Sequence, residues 1–143
     1  MPDIPIVGAR ILLVEDDAVL RYLIERNLLA RQHTVFVAED AGGALAQLCM
    51  RTFDLIVLDI NLPDQTGWEV LRTALREGYL HMRQIDGDHP LLPVVVLSAV
   101  RVSPFRLAEF RPLAYLPKPF PMDALLRLAV EAALRRKENE HVI

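Results

Sequence analysis

The stretch FDLIVLDINLPDQTGWEVL, residues 53–71, runs four apolar side chains (55–58) straight into a carboxylate, Asp59. Other polar groups close other apolar runs. Glu15-Asp16-Asp17 follows 11–14, Ser98-Ala99 follows 94–97, and Lys118-Pro119 follows 114–116. If these runs are strands of one parallel sheet, at least three carboxylates, a hydroxyl and an ammonium meet at one rim. Crowded carboxylates are costly to keep ionised unless a cation joins them. An all-oxygen donor set suits a hard ion such as Mg²⁺. A carboxylate fixed at a strand end can attack phosphorus and form an acyl phosphate. The metal, the Lys118 ammonium and the Ser98 hydroxyl then bind the phosphoryl oxygens, where transition-state charge is spread. Asp59 is therefore the candidate phosphate acceptor. Taken singly, each group has a plainer reading: Asp16 or Asp17 as a helix cap, Ser98 as a cap, Lys118 as a solvent lysine, Tyr115 as core. The four histidines, His33, His81, His89 and His141, share no ligand spacing, so a zinc site is not expected.

Positioning such a rim requires strands separated by helices. Five apolar runs, 11–14, 35–37, 55–58, 94–97 and 114–116, alternate with stretches of helical period. Leu20, Leu23, Ile24 and Leu28 form one stripe; Ala44, Leu45, Leu48 and Cys49 a second; Val70, Leu71, Ala74 and Leu75 a third. A last helix over 122–137 is expected to bury Leu125, Leu126, Ala129, Ala133 and Leu134. The alternation predicts an α/β fold, a doubly wound parallel sheet with helices on both faces. The polar strand ends at Glu15, Glu39, Asp59, Ser98 and Pro117 are 24, 20, 39 and 19 residues apart. The third interval is nearly double the others. Its surplus lies at 77–92, EGYLHMRQIDGDHPLL, predicted to be an inserted loop or an extended helix end. Pro104 and Pro112 leave room for a helix of only about two turns between them.

The chain has 143 residues, 52% apolar and 24% charged, with a net charge of −3, which predicts one domain over 1–143 with its core at about 8–137. No apolar run is long enough to cross a bilayer, and the N-terminus lacks a signal-peptide pattern. Cys49, the one cysteine, has no internal disulfide partner and is predicted to be a buried small apolar residue; together these point to the cytoplasm. The scattered basic residues offer no patch for direct nucleic-acid binding.

The segments ILLVEDDAVLR, DLIVLDINLPDQTG, VVVLSA and AYLPKPF resemble the four signatures of the response-regulator receiver domain of two-component signalling. The resemblance implies a flavodoxin-like, three-layer fold with five parallel strands in the order 2-1-3-4-5. It also implies an aspartate phosphorylated with Mg²⁺ from the phosphohistidine of a sensor histidine kinase or histidine phosphotransfer protein. Carried over by position, Asp59 matches the phosphoacceptor, and Glu15 and Asp16 the acidic pair, with Asp16-Asp17 as the alternative register. Asn61 matches the residue whose carbonyl ligates the metal and which flanks the phosphoryl group. Ser98 and the Ala99 amide match the phosphoryl-binding pair, Lys118 the lysine that holds the phosphate, and Tyr115 the aromatic that moves with Ser98. Lys118-Pro119 falls where the family has a cis peptide.

The departures lie on the output side. Leu113-Ala114 stand where a glycine is usual, and the fourth helix is short. A downstream protein target and a homodimer through the fourth helix, fifth strand and fifth helix are therefore both left open, as is whether the chain stands alone or belongs to a longer regulator. Val100, two after Ser98, has no side chain to orient a hydrolytic water, which predicts a long-lived acyl phosphate. Two other functions compete. A haloacid-dehalogenase-type phosphohydrolase needs a second aspartate where Asn61 stands; a receiver-like interaction module would never be phosphorylated. The receiver reading makes the chain a switch that assists its own modification rather than a turnover enzyme.

Overall fold

The computed structural model describes residues 8–86 and 89–141. The first seven positions, 87–88 and the last two positions of the expected 1–143 domain lie outside the described residues. In chain order the elements are β1 (Arg10–Val14), α1 (Ala18–Ala30), β2 (Thr34–Ala38), α2 (Ala41–Met50), β3 (Leu55–Asp59), α3 (Gly67–Arg76), β4 (Arg83–Asp86), β5 (His89–Ser98), α4 (Pro104–Phe110), β6 (Pro112–Pro117) and α5 (Met122–His141). Strands β2, β1, β3, β5 and β6 pair in that order and all in parallel, the parallel sheet expected from the apolar runs in the order that the resemblance implied.

The sheet nevertheless has six strands. β4 runs antiparallel to the start of β5, with Arg83 opposite Leu91 and Asp86 opposite His89. The segment 77–92, expected as a loop or a helix extension, thus contributes a short strand. Gly87 and Pro90 read as breakers in the sequence. However, β5 starts well before the point where β3 meets it at Val94, and backbone groups beyond that partner need another ladder.

Strand alternation divides the core into two layers. Ile11, Leu13, Leu55, Val57, Val95 and Leu97 pack with Ile24 and Leu28 of α1 and Leu125 and Ala129 of α5. Leu12, Val14, Ile56, Leu58, Val94 and Val96 pack with α2, α3 and Phe110 of α4. Each fully buried aliphatic side chain contributes about 1.5–3 kcal/mol, so the middle strands are rigid supports for whatever their ends carry.

Three apolar positions differ from expectation. Cys49 is exposed rather than buried, because α2 seats Ala41, Ala44 and Leu48 on the sheet and Cys49 turns past that line. Leu134 is 56% exposed, and Ala132 occupies the inner face of α5 instead. Leu23 is 48% exposed on α1. The short α4 has the predicted proline at its first turn, capped by Ser103, and ends on Arg111 in the left-handed region (φ 50°). Phe110 stacks on Trp68 of α3 at 5.3 Å, holding α4 against the sheet. Among the described residues no helix is long and apolar enough to cross a membrane.

His33 is buried before β2, where its Nδ1 accepts the Ala9 N–H at 2.9 Å. That bond requires an unprotonated Nδ1, and burial, with Arg31 nearby, lowers the imidazole pKa from 6.5. The unfolded chain then takes up the proton first, so this contribution to stability is lost as pH falls below about 6.5. In His33→Asn the amide oxygen keeps an acceptor without a titration. The stability gap between wild type and variant should narrow from pH 7.5 to pH 5.5 in urea unfolding, and a constant gap would refute the assignment.

Candidate functional site

The carboxyl ends of β1, β3 and β6 bring four of the predicted groups together. Glu15 follows β1 and is completely buried; Asp59, the last residue of β3, is 3% exposed. Lys118 reaches between them, its Nζ donating to Glu15 Oε1 at 2.7 Å and to Asp59 Oδ2 at 3.2 Å. Asp16 is exposed at the rim, and Glu15, Asp16 and Asp59 each offer a carboxylate oxygen with all three within 4.8 Å of one another.

Local hydrogen bonds set Asp17 apart from its two acidic neighbours. Asp17 caps α1, its Oδ1 accepting the N–H groups of Val19 at 3.0 Å and Leu20 at 3.1 Å. Its carboxylate is therefore committed to the helix, while Glu15 and Asp16 face the cluster. Asp17 also donates its N–H to Glu15 Oε2 at 3.2 Å. The loop is held from behind by Arg21, which donates to the carbonyl oxygen of Glu15 at 2.9 Å and pairs with Glu39 at 3.2 Å. Arg21→Ala removes both anchors. Mg²⁺ affinity, read by quenching of Trp68 fluorescence, should fall several-fold with little loss of secondary structure; unchanged affinity would make Arg21 a surface residue only.

Burial, reinforced by Asp59 close by, raises the Glu15 pKa to about 7 despite the Lys118 ammonium. Burial alone would lower the Lys118 pKa, but Glu15 and Asp59 together raise it, so the side chain stays charged. The site thus holds two buried acids and one fixed cation. The oxygen-only donor set and the raised Glu15 pKa both fit a hard divalent cation, which takes over the charge a proton would otherwise neutralise.

The remaining predicted residues sit around this centre. The Asn61 N–H donates to Asp59 Oδ1 at 3.0 Å, fixing the acceptor's rotamer. Ser98 is buried beside the cluster, but its hydroxyl is turned to the following loop, donating to Val100 O at 2.7 Å and accepting the Val100 N–H at 3.1 Å. Tyr115 is half-buried outside the cluster, and its hydroxyl donates to the same Val100 carbonyl at 3.4 Å. Ala99 lines a groove with Lys118. The Lys118-Pro119 peptide is cis, and the Lys118 N–H donates to Ser98 O at 2.8 Å, tying the β5 and β6 ends together.

Two features escaped the sequence reading. Asp64, in the loop after the acceptor, accepts the N–H groups of Ala41 at 2.9 Å and Gly42 at 3.0 Å, so it caps α2 from across the rim. Those bonds hold its carboxyl below the usual range. Only its place in the turn PDQTG hinted at a capping role. The other is the groove of about 510 Å³ between α1 and the β6–α5 loop, lined by Val19, Leu20, Leu23, Pro119, Phe120 and Met122 as well as Ala99 and Lys118.

A flavodoxin-like sheet with paired acids, a buried aspartate and a lysine on three strand ends defines a receiver-type domain. The family model "Response regulator receiver domain" matches residues 11–130, and the chain belongs to that family. It is 30% identical over 133 residues to the DNA-binding transcriptional regulator NtrC of Salmonella typhimurium, covering 90% of this chain and 25% of that protein. It is 35% identical over 153 residues to the sensor histidine kinase AruS of Pseudomonas aeruginosa, covering 97% of this chain and 14% of that one. The chain thus spans a quarter or less of the length of either. Among solved structures it resembles the signal receiver domain of a LuxO repressor protein from Vibrio parahaemolyticus, with TM-score 0.76 and 23% identity over 95% of this chain and 98% of that one.

Proposed function

We propose that this domain is a phosphorylation-operated switch in which Asp59 accepts a phosphoryl group from the phosphohistidine of a sensor histidine kinase or histidine phosphotransfer protein. The observation that carries this reading is the Lys118 ammonium between the buried carboxylates of Glu15 and Asp59, at 2.7 and 3.2 Å. A lysine so placed holds the acceptor in position and can bind a phosphoryl oxygen once the acyl phosphate forms. Mg²⁺, held by Glu15, Asp16, Asp59 and the Asn61 carbonyl, would supply Lewis-acid neutralisation of the phosphoryl charge. An Asp59 oxygen attacks phosphorus, the P–N bond breaks, and its electron pair leaves with the imidazole, which takes a proton from solvent.

The groove beside Lys118 supplies a docking surface for the donor. Val19 is 70% exposed at its rim, and an apolar surface next to the acceptor fits an amphipathic helix that presents a phosphohistidine. After transfer, the Ser98 hydroxyl turns from Val100 O to a phosphoryl oxygen. Among the described residues the Val100 carbonyl then keeps only the Tyr115 hydroxyl as a side-chain donor, and the loop before α4 shifts its equilibrium. The face of α4, β6 and α5, where Phe105 is 72% exposed, presents that change to a downstream protein or to a second copy. On this reading the domain assists its own modification without turning over a substrate.

Acetyl phosphate with Mg²⁺ should add the mass of one phosphoryl group to the chain, and the adduct should be absent in Asp59→Asn. No adduct on the wild-type chain would leave an interaction module that is never phosphorylated. Hydrolysis of a free phosphomonoester would indicate a phosphohydrolase instead. Val100 is 59% exposed and apolar, so the adduct should persist for minutes or longer in Mg²⁺ by intact-mass time course; decay within seconds would contradict this.

A further inference from the structure

The N–H groups of Ala41, Gly42 and Gly43 open α2 and lie too early in it to bond to a preceding turn. Two aspartates take all three. Asp40, the residue before the helix, accepts the Gly43 N–H at 2.7 Å. Asp64 takes the other two from across the rim, Oδ1 the Ala41 N–H at 2.9 Å and Oδ2 the Gly42 N–H at 3.0 Å. Using both oxygens fixes the direction of the carboxylate as well as its place.

Asp64 lies in the loop that follows the acceptor, and that loop is closed on itself. Asn61 and Thr66 form an isolated antiparallel β-bridge, and the Gly67 N–H donates to Ile60 O at 2.8 Å. A shift at Asp64 is therefore carried to Asn61, whose N–H holds Asp59 Oδ1 at 3.0 Å. The same start of α2 is tied to the other acidic loop. Glu39, two residues before the helix, pairs with Arg21 at 3.2 Å, and Arg21 donates to Glu15 O at 2.9 Å and to Asp16 O at 3.4 Å. Beside them the Glu15 N–H donates to Ala38 O at 3.1 Å. The β2–α2 junction thus stands between the loop of Glu15 and Asp16 and the loop of Asn61, bonded to each. Neither Asp64 nor Glu39 belongs to the acid cluster of Glu15, Asp16 and Asp59, so both act on it only through these bonds.

We propose that Asp64 is a positioning residue for the metal-binding rim: through the start of α2 it sets the spacing of the two loops whose groups close on a divalent cation. The inference rests on the phosphoacceptor reading above and gives Asp64 an effect on Mg²⁺ affinity that helix capping alone does not have.

The test is calorimetric titration of Mg²⁺ into the full chain and its variants, with urea unfolding in metal-free buffer alongside. Asp64→Ala should weaken Mg²⁺ binding about tenfold, the low end of what a group supporting a metal ligand is worth. Asp40→Ala removes a cap bond from the same turn of α2 and leaves the Asp64 bonds in place. It should destabilise the chain comparably and keep the wild-type Mg²⁺ affinity. Asp64→Ala also removes a negative charge from an exposed position, so the titrations are repeated at low and at high salt. Screening abolishes a through-space effect but not a positional one, and the tenfold ratio should survive. Arg21→Ala loosens the other end of the same linkage. Combined with Asp64→Ala, it should weaken binding by less than the product of the two separate losses. Wild-type Mg²⁺ affinity in Asp64→Ala, an equal loss in Asp40→Ala, a ratio that vanishes in high salt, or losses that simply multiply would each overturn the proposal. A wild-type chain that binds no Mg²⁺ would bring down the phosphoacceptor reading as well; a Mg²⁺-binding wild type with an unaffected Asp64→Ala removes this inference alone.

Discussion

Lys118→Ala should destabilise the chain by on the order of 3 kcal/mol at pH 8 in metal-free buffer, because it leaves two buried carboxylates facing each other without their cation. The lysine donates to Glu15 and to Asp59, and both acids are almost wholly inaccessible. The loss should shrink on acidification, and the sign follows from Glu15. Its pKa is raised from 4.5 to about 7 in the folded chain. Between those values the native state binds the proton more readily than the unfolded state, so folding is favoured at the acid end and this contribution is lost as pH rises through about 7. Without Lys118 the pressure to protonate Glu15 only grows. Urea unfolding of wild type and variant at pH 5.5 and pH 8 measures the difference, and Mg²⁺ should recover part of it at pH 8. An equal loss at both pH values would show that the missing alkyl packing, rather than charge, dominates.

Gly67→Ala should be the most damaging methyl group added near the site. An ideal Cβ there would stand 2.8 Å from the Asp59 carbonyl oxygen and 3.0 Å from Ile60 Cα, both backbone atoms that cannot rotate away. Gly67 also donates its N–H to Ile60 O at 2.8 Å, so the first turn of α3 is held against the end of β3. Alanine would improve helix propensity by up to about 1 kcal/mol. Overpacking against fixed backbone costs about 1–3 kcal/mol, so the clash outweighs the gain. A second consequence distinguishes this from a simple loss of stability. Relief of the clash must move the β3 end or the α3 start, and either displaces Asp59 from Lys118. Phosphorylation by acetyl phosphate should slow more than tenfold under conditions where the variant remains folded. Wild-type rate and melting temperature in Gly67→Ala would mean that the backbone yields without disturbing the acceptor.

How much of this was legible beforehand differs from residue to residue. The parallel sheet could be anticipated because strands buried on both faces must be continuously apolar, and helices of the right length lay between them; its strand order came only from the resemblance to receiver domains. Asp59, Glu15, Ser98 and Lys118 could be named because each ends such a run, and the carboxyl ends of parallel strands share one rim. Cys49 and Leu134 were placed wrongly because periodicity gives a stripe but not its width. One residue's rotation, about 100°, decides whether the stripe's edge meets the sheet. The strand β4 was missed because Gly87 and Pro90 hid it, and because its partner is the unusual early start of β5 rather than any pattern of its own.

The sequence by itself determined which groups stand at which strand ends, since chain order and apolar continuity are local properties that fold the same way whatever surrounds them. Only the tertiary structure decided the rest: that Asp17 caps α1 while Asp16 joins the acids, that Ser98 and Tyr115 both turn to Val100 O, that Asp64 reaches α2, and that Arg83 shares a cleft with Arg135. Each depends on the direction of a side chain or on two segments far apart in sequence meeting across the sheet, and neither is encoded in residue spacing.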